Sequence, residues 1–167
     1  MSDFVLSQIL VGITFLFSTV SFQFRDPRAV KLCLVIGCVF LAAHFYLLEA
    51  YTAAVTTSIA AVRFTVSMYW RDDRLFYLFF SLVLINAVLT YSGLLTVLAS
   101  IATGLSTWAA FRHSDKHFRL FMMAASSVMM IHNILLGTPV AVMMEVFFIA
   151  SNLIAYRRLY SRRELSE

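Results

Sequence analysis

Long runs of apolar residues, interrupted by short charged or turn-forming segments, dominate the chain. Each run has about 17 to 20 residues, the length that an α-helix needs to cross a bilayer, whereas barrel strands would be shorter and would alternate. The pattern predicts seven helices, at residues 4–22, 32–48, 51–69, 75–91, 93–111, 119–136 and 139–157. The second and third are separated only at Glu49, Ala50 and Tyr51, because one helix of about 40 residues would overrun the bilayer.

The composition agrees with an all-α integral membrane protein. Of the 167 residues, 61% are hydrophobic and 13% are charged, with a mean hydropathy of +0.85, whereas soluble domains are about 45–50% apolar. The first residues lack the basic segment of a cleaved signal peptide, so we expect the first helix to be retained. The net charge of +4 does not indicate nucleic acid, because the basic residues lie at predicted helix ends, where topology and lipid headgroups explain them.

The positions of Lys and Arg predict the orientation. Alternate loops and the tail hold twelve of the 13 basic residues, namely Arg25, Arg28, Lys31, Arg71, Arg74, Arg112, Lys116, Arg119, Arg157, Arg158, Arg162 and Arg163. The positive-inside rule makes this side cytoplasmic. The N-terminus is therefore predicted outside and the C-terminus in the cytoplasm, which an even number of helices would not allow.

The two halves of the chain resemble each other in sequence. Residues 24–28 resemble 111–116, residues 43–48 resemble 131–136, and one extra residue in the second turn aligns Thr56 and Arg63 with Glu145 and Asn152. This predicts a parallel 3+1+3 arrangement: a first triple-helix bundle at 1–70, a linker helix at 71–92, a second bundle at 93–160 and a cytoplasmic tail at 161–167. The alternative is a chance likeness between two apolar helix pairs.

Six short motifs carry a resemblance to a known family. The segments FRDPR, AAHFYLL, AAVRF, STWAAFR, IHNILLG and MMEVFF resemble the YgjV family of bacterial inner-membrane proteins, over nearly the whole chain. This resemblance implies a multi-pass protein of the bacterial inner membrane. More distantly, the helix plan is similar to the SWEET sugar carriers, the PnuC vitamin carriers and the KDEL receptor. The prolines are Pro27 and Pro139 alone, so the proline hinges of SWEET-like gating are not carried over.

Polar residues inside the predicted helices are the candidate site, since ionisable groups within a membrane are costly and are functional candidates. One layer is predicted about 7 to 9 Å below the outer helix ends. A second layer is predicted nearer the cytoplasm. The first comprises His44, Asn86, His132 and Glu145, with Asn133 beside it, and the second comprises Arg63 and Asn152.

These residue types predict a polar pathway between the two bundles. His44, His132 and Glu145 can exchange a proton or hold a cation, and the amides of Asn86 and Asn133 can orient a polar solute. Arg63 can hold a carboxylate or phosphate. The structural alternative is that the histidines and Glu145 form hydrogen-bonded pairs while Arg63 snorkels to the inner surface.

The sequence therefore favours a membrane carrier or facilitator for a small polar solute, with proton coupling as an option. The alternative function is a non-transporting receptor or accessory protein that binds a ligand or partner through the same layer. We expect no enzyme, metal or cofactor, since the chain has no Gly-rich phosphate loop, paired-Cys motif or His-Glu-x-x-His site. The expected partners are a small-molecule solute and the lipid bilayer, and the sequence leaves homo-oligomers open.

Overall fold

The computed structural model describes residues 3–48, 51–89, 91, 93–137 and 139–161, and these form helices joined by short turns, with no strand among them. The bounds are α1 (Asp3–Ser21), α2 (Pro27–Leu47), α3 (Tyr51–Tyr69), α4 (Asp73–Leu89), α5 (Leu94–Ala110), α6 (Asp115–Leu135) and α7 (Pro139–Tyr156). A short π-helix, Arg157–Ser161, follows α7. The prediction of an all-α chain with seven long helices is confirmed over these ranges.

Side-chain caps set the first residues of the two 21-residue helices. The Asp26 carboxylate accepts a hydrogen bond from the Arg28 backbone N–H at 2.9 Å, and Pro27 occupies the first turn of α2. At the start of α6, the Ser114 hydroxyl oxygen accepts a hydrogen bond from the His117 backbone N–H at 3.4 Å. Such caps satisfy backbone donors that have no partner within the helix. Both helices therefore begin about four or five residues before their predicted starts.

Lys31 and Arg119 were counted among the loop residues, at the edges of the predicted helices 32–48 and 119–136, and this placement is wrong. Both lie inside helices and are buried, with exposed fractions of 1% and 0%. Lys31 Nζ donates to the Ser67 carbonyl oxygen of α3 at 2.9 Å, and Arg119 Nε donates to Asp115 at 2.8 Å. Charged residues in the first two turns of a helix resemble a loop in sequence. These buried cations are tolerated because each has a hydrogen-bond acceptor.

The separation of the second and third predicted helices is confirmed. Helix α2 ends at Leu47, and the Leu48 backbone N–H caps it by donating to the His44 carbonyl oxygen at 3.2 Å. Helix α3 begins at Tyr51. Glu49 and Ala50, on which the prediction depended, lie outside the described residues.

The chain divides into two compact units, Met1–Tyr69 and Trp70–Glu167. In the first unit, α2 packs against both α1 and α3. In the second, α6 packs against both α5 and α7, and α4 packs against α5. The central helices α2 and α6 are, within the described part of the chain, the two that are long and apolar enough to cross a membrane. The predicted boundaries of bundles, linker helix and tail stay a prediction.

A glycine allows the close approach of α1 and α2. The Thr14 hydroxyl donates to the Gly37 carbonyl oxygen at 3.1 Å, across the two helices. A Cβ atom at Gly37 would lie 3.3 Å from the Ser18 hydroxyl oxygen, which is a tight contact. Small residues at such crossings let helix backbones pack closely in a membrane, where packing and hydrogen bonds drive helix association.

Candidate functional site

Three buried polar residues lie at seven-residue intervals along α6. Arg119, Ser126 and Asn133 have exposed fractions of 0%, 7% and 8%. Residues seven apart in an α-helix share one face, because seven residues make about two turns. One face of α6 is therefore a buried polar stripe.

Two residues of α7 contact this stripe. Asn152 Nδ2 donates to the Arg119 backbone carbonyl oxygen at 2.8 Å, and the Glu145 carboxyl group is hydrogen-bonded to the side chain of Ser126. The two contacts advance by seven residues on each helix in opposite directions, as antiparallel neighbours require, and lie about 10 Å apart along the helix axis. We call this set the polar ladder: Arg119, Ser126, Asn133, Glu145 and Asn152.

An ion pair and a tyrosine complete the end of the polar ladder nearest the π-helix. The Arg119 side chain is fully buried against Asp115, whose side chain is 14% exposed. The hydroxyl of Tyr160, in the π-helix, donates to the same carboxylate oxygen of Asp115. Burial first, and then the hydrogen bond to Asp115, raise the pKa of Tyr160 to about 12. The phenol therefore stays protonated and remains a donor at neutral pH.

Two buried acceptor atoms at this end have no hydrogen-bond partner among the described residues. They are Oδ1 of Asn152 and Oδ1 of Asp115. Asn152 is fully buried, and its amide nitrogen is already used by the Arg119 carbonyl oxygen. Buried polar atoms normally have a partner, and exceptions call for a reason. Both oxygens can accept a hydrogen bond from water or from a donor group of a solute.

His132 and Asn133 lie next to each other at the opposite end of the polar ladder. His132 Nδ1 is 3.2 Å from Asn133 Oδ1, and because an amide oxygen accepts, the ring nitrogen donates. His132 is half-buried, whereas Asn133 is buried. Within the second unit, the structure thus places four predicted site residues along α6 and α7: His132, Asn133, Glu145 and Asn152.

His44 makes a hydrogen bond inside the first unit. Its Nδ1 lies 2.8 Å from the Ser7 backbone carbonyl oxygen of α1, and His44 is 9% exposed. A carbonyl oxygen can only accept, so Nδ1 carries the proton and Nε2 is the acceptor when the ring is neutral. This bond joins α1 to α2 and gives His44 a structural role. A cavity of about 590 Å³ between α1, α2 and α3 is lined by its neighbour Ala43, but not by His44 itself.

Arg63 is enclosed within the first unit. It is 5% exposed, and its guanidinium carbon lies 4.8 Å from the centroid of the Phe64 ring. Asn86 is exposed on α4 of the second unit. The prediction that His44 and Arg63 share a pathway with the residues of the second unit stays a prediction.

Sequence reasoning missed Ser126, Asp115 and Tyr160 as members of this site. The signal for Ser126 was its seven-residue spacing from Arg119 and Asn133, but a helical serine commonly bonds its own backbone and draws little notice. Asp115 resembled a loop residue in sequence, and Tyr160 resembled one of the interfacial aromatic residues that flank membrane helices.

The described structure has seven long helices with paired polar groups between them, and two of the helices can cross a membrane by length and composition. This architecture is consistent with a helical membrane protein. The sequence profile of the bacterial inner membrane protein family Imp-YgjV matches residues 5–163. The chain belongs to this family, and it is a multi-pass protein of the bacterial inner membrane.

One similar protein is the inner membrane protein YgjV of Escherichia coli (strain K12). It is 27% identical over 152 residues, which cover 91% of this chain and 83% of the relative. No solved structure matches the chain.

Proposed function

We propose that the protein is a carrier or facilitator for a small polar solute and that the polar ladder between α6 and α7 contributes to the path of the solute. The observation that carries this proposal is the buried Oδ1 of Asn152, which has no hydrogen-bond partner in the described structure. A purely structural contact between two helices would not need an additional buried acceptor about 10 Å below an ionisable Glu145.

The chemistry of the polar ladder favours a solute with hydrogen-bond donors. The buried oxygens without a hydrogen-bond partner in the described structure belong to Asn152, in the polar ladder, and to Asp115, at its end. An amide or carboxylate oxygen accepts hydrogen bonds and does not donate them. The buried cation Arg119 is already paired with Asp115. A neutral or cationic solute bearing hydroxyl or amino groups therefore suits this site better than an anion.

Glu145 is the group that we propose for proton coupling. It lies on α7 between apolar neighbours, and its described partner is the hydroxyl of Ser126 rather than a cation. A carboxyl group within a membrane helix can take up and release a proton when its surroundings change, and such groups mark proton and ion paths in transporters. His132, a further titratable group of α6, is available to the same path.

Four shared features support an internal repeat of triple-helix bundles as part of this proposal. Helices α2 and α6 both have 21 residues, both begin with a side-chain cap, and both pack between two neighbouring helices of their unit. Each also buries a basic residue at its fifth position, Lys31 or Arg119. We further propose that the N-terminus is outside and the C-terminus cytoplasmic, as the positions of the remaining loop arginines indicate.

The proposal is tested by uptake into proteoliposomes. Purified protein is reconstituted, and accumulation of a panel of radiolabelled sugars, amino acids, amines and nucleosides is compared with that in protein-free liposomes. We expect saturable uptake of at least one neutral or cationic solute. Binding of a solute to the purified protein, without any uptake into the liposomes, would contradict the carrier and favour a receptor or accessory protein.

A further inference from the structure

A long apolar groove lies within the second unit. Its cavity has a volume of about 680 Å³ and is lined by residues of α4 and α5, by Tyr91 between these helices and by Phe121 of α6. Small residues, Ala87 and Gly104, leave the space open, and a Cβ atom at Gly104 would already lie 3.1 Å from the Phe80 ring. The hydroxyl of Ser100 donates to the Thr96 carbonyl oxygen of its own helix at 2.7 Å, so it does not make the groove polar.

The dimensions of the groove fit a single hydrocarbon chain. Its lining runs along α5 from Thr96 to Trp108 and along α4 from Phe76 to Ala87, which at 1.5 Å per residue is about 16 to 18 Å. A volume of about 680 Å³ over about 17 Å corresponds to a mean cross-section of about 40 Å², so the groove is narrow. Its length covers the half-thickness of about 15 Å that one leaflet contributes to a bilayer core.

One end of the groove carries a guanidinium group. The Arg112 guanidinium carbon lies 3.6 Å from the centroid of the Trp108 ring, and Trp108 lines the groove. The Phe76 ring meets Trp108 edge-on at 5.3 Å between centroids, which fixes the indole that supports Arg112. The side chain of Arg112 is 31% exposed. A cation at the mouth of an apolar channel is therefore within reach of the aqueous boundary.

The charges around this mouth leave Arg112 able to bind a further anion. Its Nη2 lies 3.6 Å from an oxygen of Asp73, whose side chain is 75% exposed, and an exposed pair of this kind contributes little. Its Nε is buried without a hydrogen-bond partner among the described residues. Asp72 accepts from the Arg74 backbone N–H at 2.9 Å, and Arg71 donates to the His113 carbonyl oxygen at 3.1 Å. This end of α4 and α5 thus carries three arginines and two aspartates.

We propose that this groove is a binding site for an anionic phospholipid, with one acyl chain between α4 and α5 and the phosphate at Arg112. The site combines the two features that such a ligand requires. One is an apolar groove as long as one leaflet, and the other is a partly buried cation at the position of the headgroup. The protein resides in the bacterial inner membrane, so the ligand surrounds it. This site is separate from the polar ladder, and the proposal does not depend on solute transport.

The experiment measures retained lipid. Purified full-length protein is titrated with phosphatidylglycerol or with phosphatidylcholine of the same acyl chains, and native mass spectrometry counts the bound molecules. We expect phosphatidylglycerol to bind about fivefold more tightly, since one arginine near an anionic surface contributes about 1 kcal/mol. Arg112→Gln should abolish this preference, and Arg112→Lys should retain part of it. Arg157→Gln, which removes an exposed charge from the π-helix, is the matched control and should behave like the wild type.

A second pair of variants tests the apolar groove as the site of the acyl chain. Ala87→Leu fills the groove and should reduce the binding of both lipids severalfold, whereas Ala124→Leu, at an exposed position of α6 outside the groove, should leave it unchanged. Equal affinity of the wild type for the two lipids, or an unchanged preference in Arg112→Gln, would overturn the proposal. The proposal would also be overturned if Ala87→Leu left lipid binding unchanged, with or without a change in oligomeric mass. The acyl chain of the lipid would then lie elsewhere.

Discussion

Ser126 of α6 and Glu145 of α7 form a hydrogen-bonded pair. On each helix, this pair lies seven residues from the contact between Arg119 and Asn152. The pair is the point at which an ionisable carboxyl group meets the buried polar stripe of α6. The contact with Glu145 distinguishes Ser126 from the adjacent Ser127. The hydroxyl of Ser127 donates to the Met123 carbonyl oxygen of its own helix at 2.9 Å. These two neighbouring serines therefore offer a matched comparison.

Ser126→Ala should lower both stability and uptake, whereas Ser127→Ala should change neither. Removal of the Ser126 hydroxyl leaves the Glu145 carboxyl group without its described partner, at a cost of about 1 to 2 kcal/mol in the free energy of unfolding. Denaturation in detergent micelles and initial uptake rates measure the two effects. Equal behaviour of both variants would show that the contact with Glu145 has no role.

The contributions of Arg119 and Asp115 to the free energy of unfolding are expected to be strongly coupled. Arg119→Met alone should lower the free energy of unfolding by about 3 kcal/mol or more, because it leaves the Asp115 carboxylate in a buried site without its cation. The double variant Arg119→Met with Asp115→Asn should be more stable than Arg119→Met, since no buried charge remains. A double-mutant cycle of unfolding in detergent measures this coupling, and additive costs would contradict it.

His44 is expected to act through structure. His44→Leu removes the donor to the Ser7 carbonyl oxygen and should lower the free energy of unfolding by about 1 to 2 kcal/mol. His44→Asn places an amide donor near the position of Nδ1 and should recover part of that loss. Uptake per folded molecule should be the same in both variants, and a loss of uptake in folded His44→Asn would instead assign the ring to the path.

Tyr160 should make the stability of the second unit fall as the pH rises through the alkaline range. Its pKa is raised to about 12 from an ordinary value of about 10, so its stabilising contribution is complete below about pH 10 and is lost as the pH rises through about 12. Tyr160→Phe should be less stable than the wild type at pH 8, and the difference should shrink at pH 11. Thermal unfolding in detergent at both values measures this, and a constant difference would contradict the role of the phenol.

Most of the fold was predictable because the apolar runs are long and are divided by charges and turns. Seven helices, and the division between the second and the third, follow from hydrophobicity and from the length of one bilayer crossing. The starts of α2 and α6 were predicted too late, because Asp26 and Ser114 cap helices whose first turns are charged. Lys31 and Arg119 were misplaced for the same reason.

The site was predictable in part. Asn133, Glu145 and Asn152 were recognised because polar groups are conspicuous in an apolar helix. Their partners were not recognised, since Ser126 and Asp115 are ordinary residues until α6 and α7 are packed together. The partner of His44 could not be predicted from the sequence, because it is the backbone of Ser7, which has no signature in sequence.

The most direct test of the central claim is the initial uptake rate of the solute identified in the panel, measured for Glu145→Gln in proteoliposomes. Glutamine keeps the size and the hydrogen-bonding capacity of the side chain but cannot carry a proton or a charge. The account predicts that uptake driven by a proton gradient falls at least about tenfold, a change of about 1.4 kcal/mol, while Glu145→Asp retains part of it and Ser127→Ala equals the wild type. Wild-type uptake by a correctly folded Glu145→Gln would contradict the claim that the polar ladder serves the path of the solute.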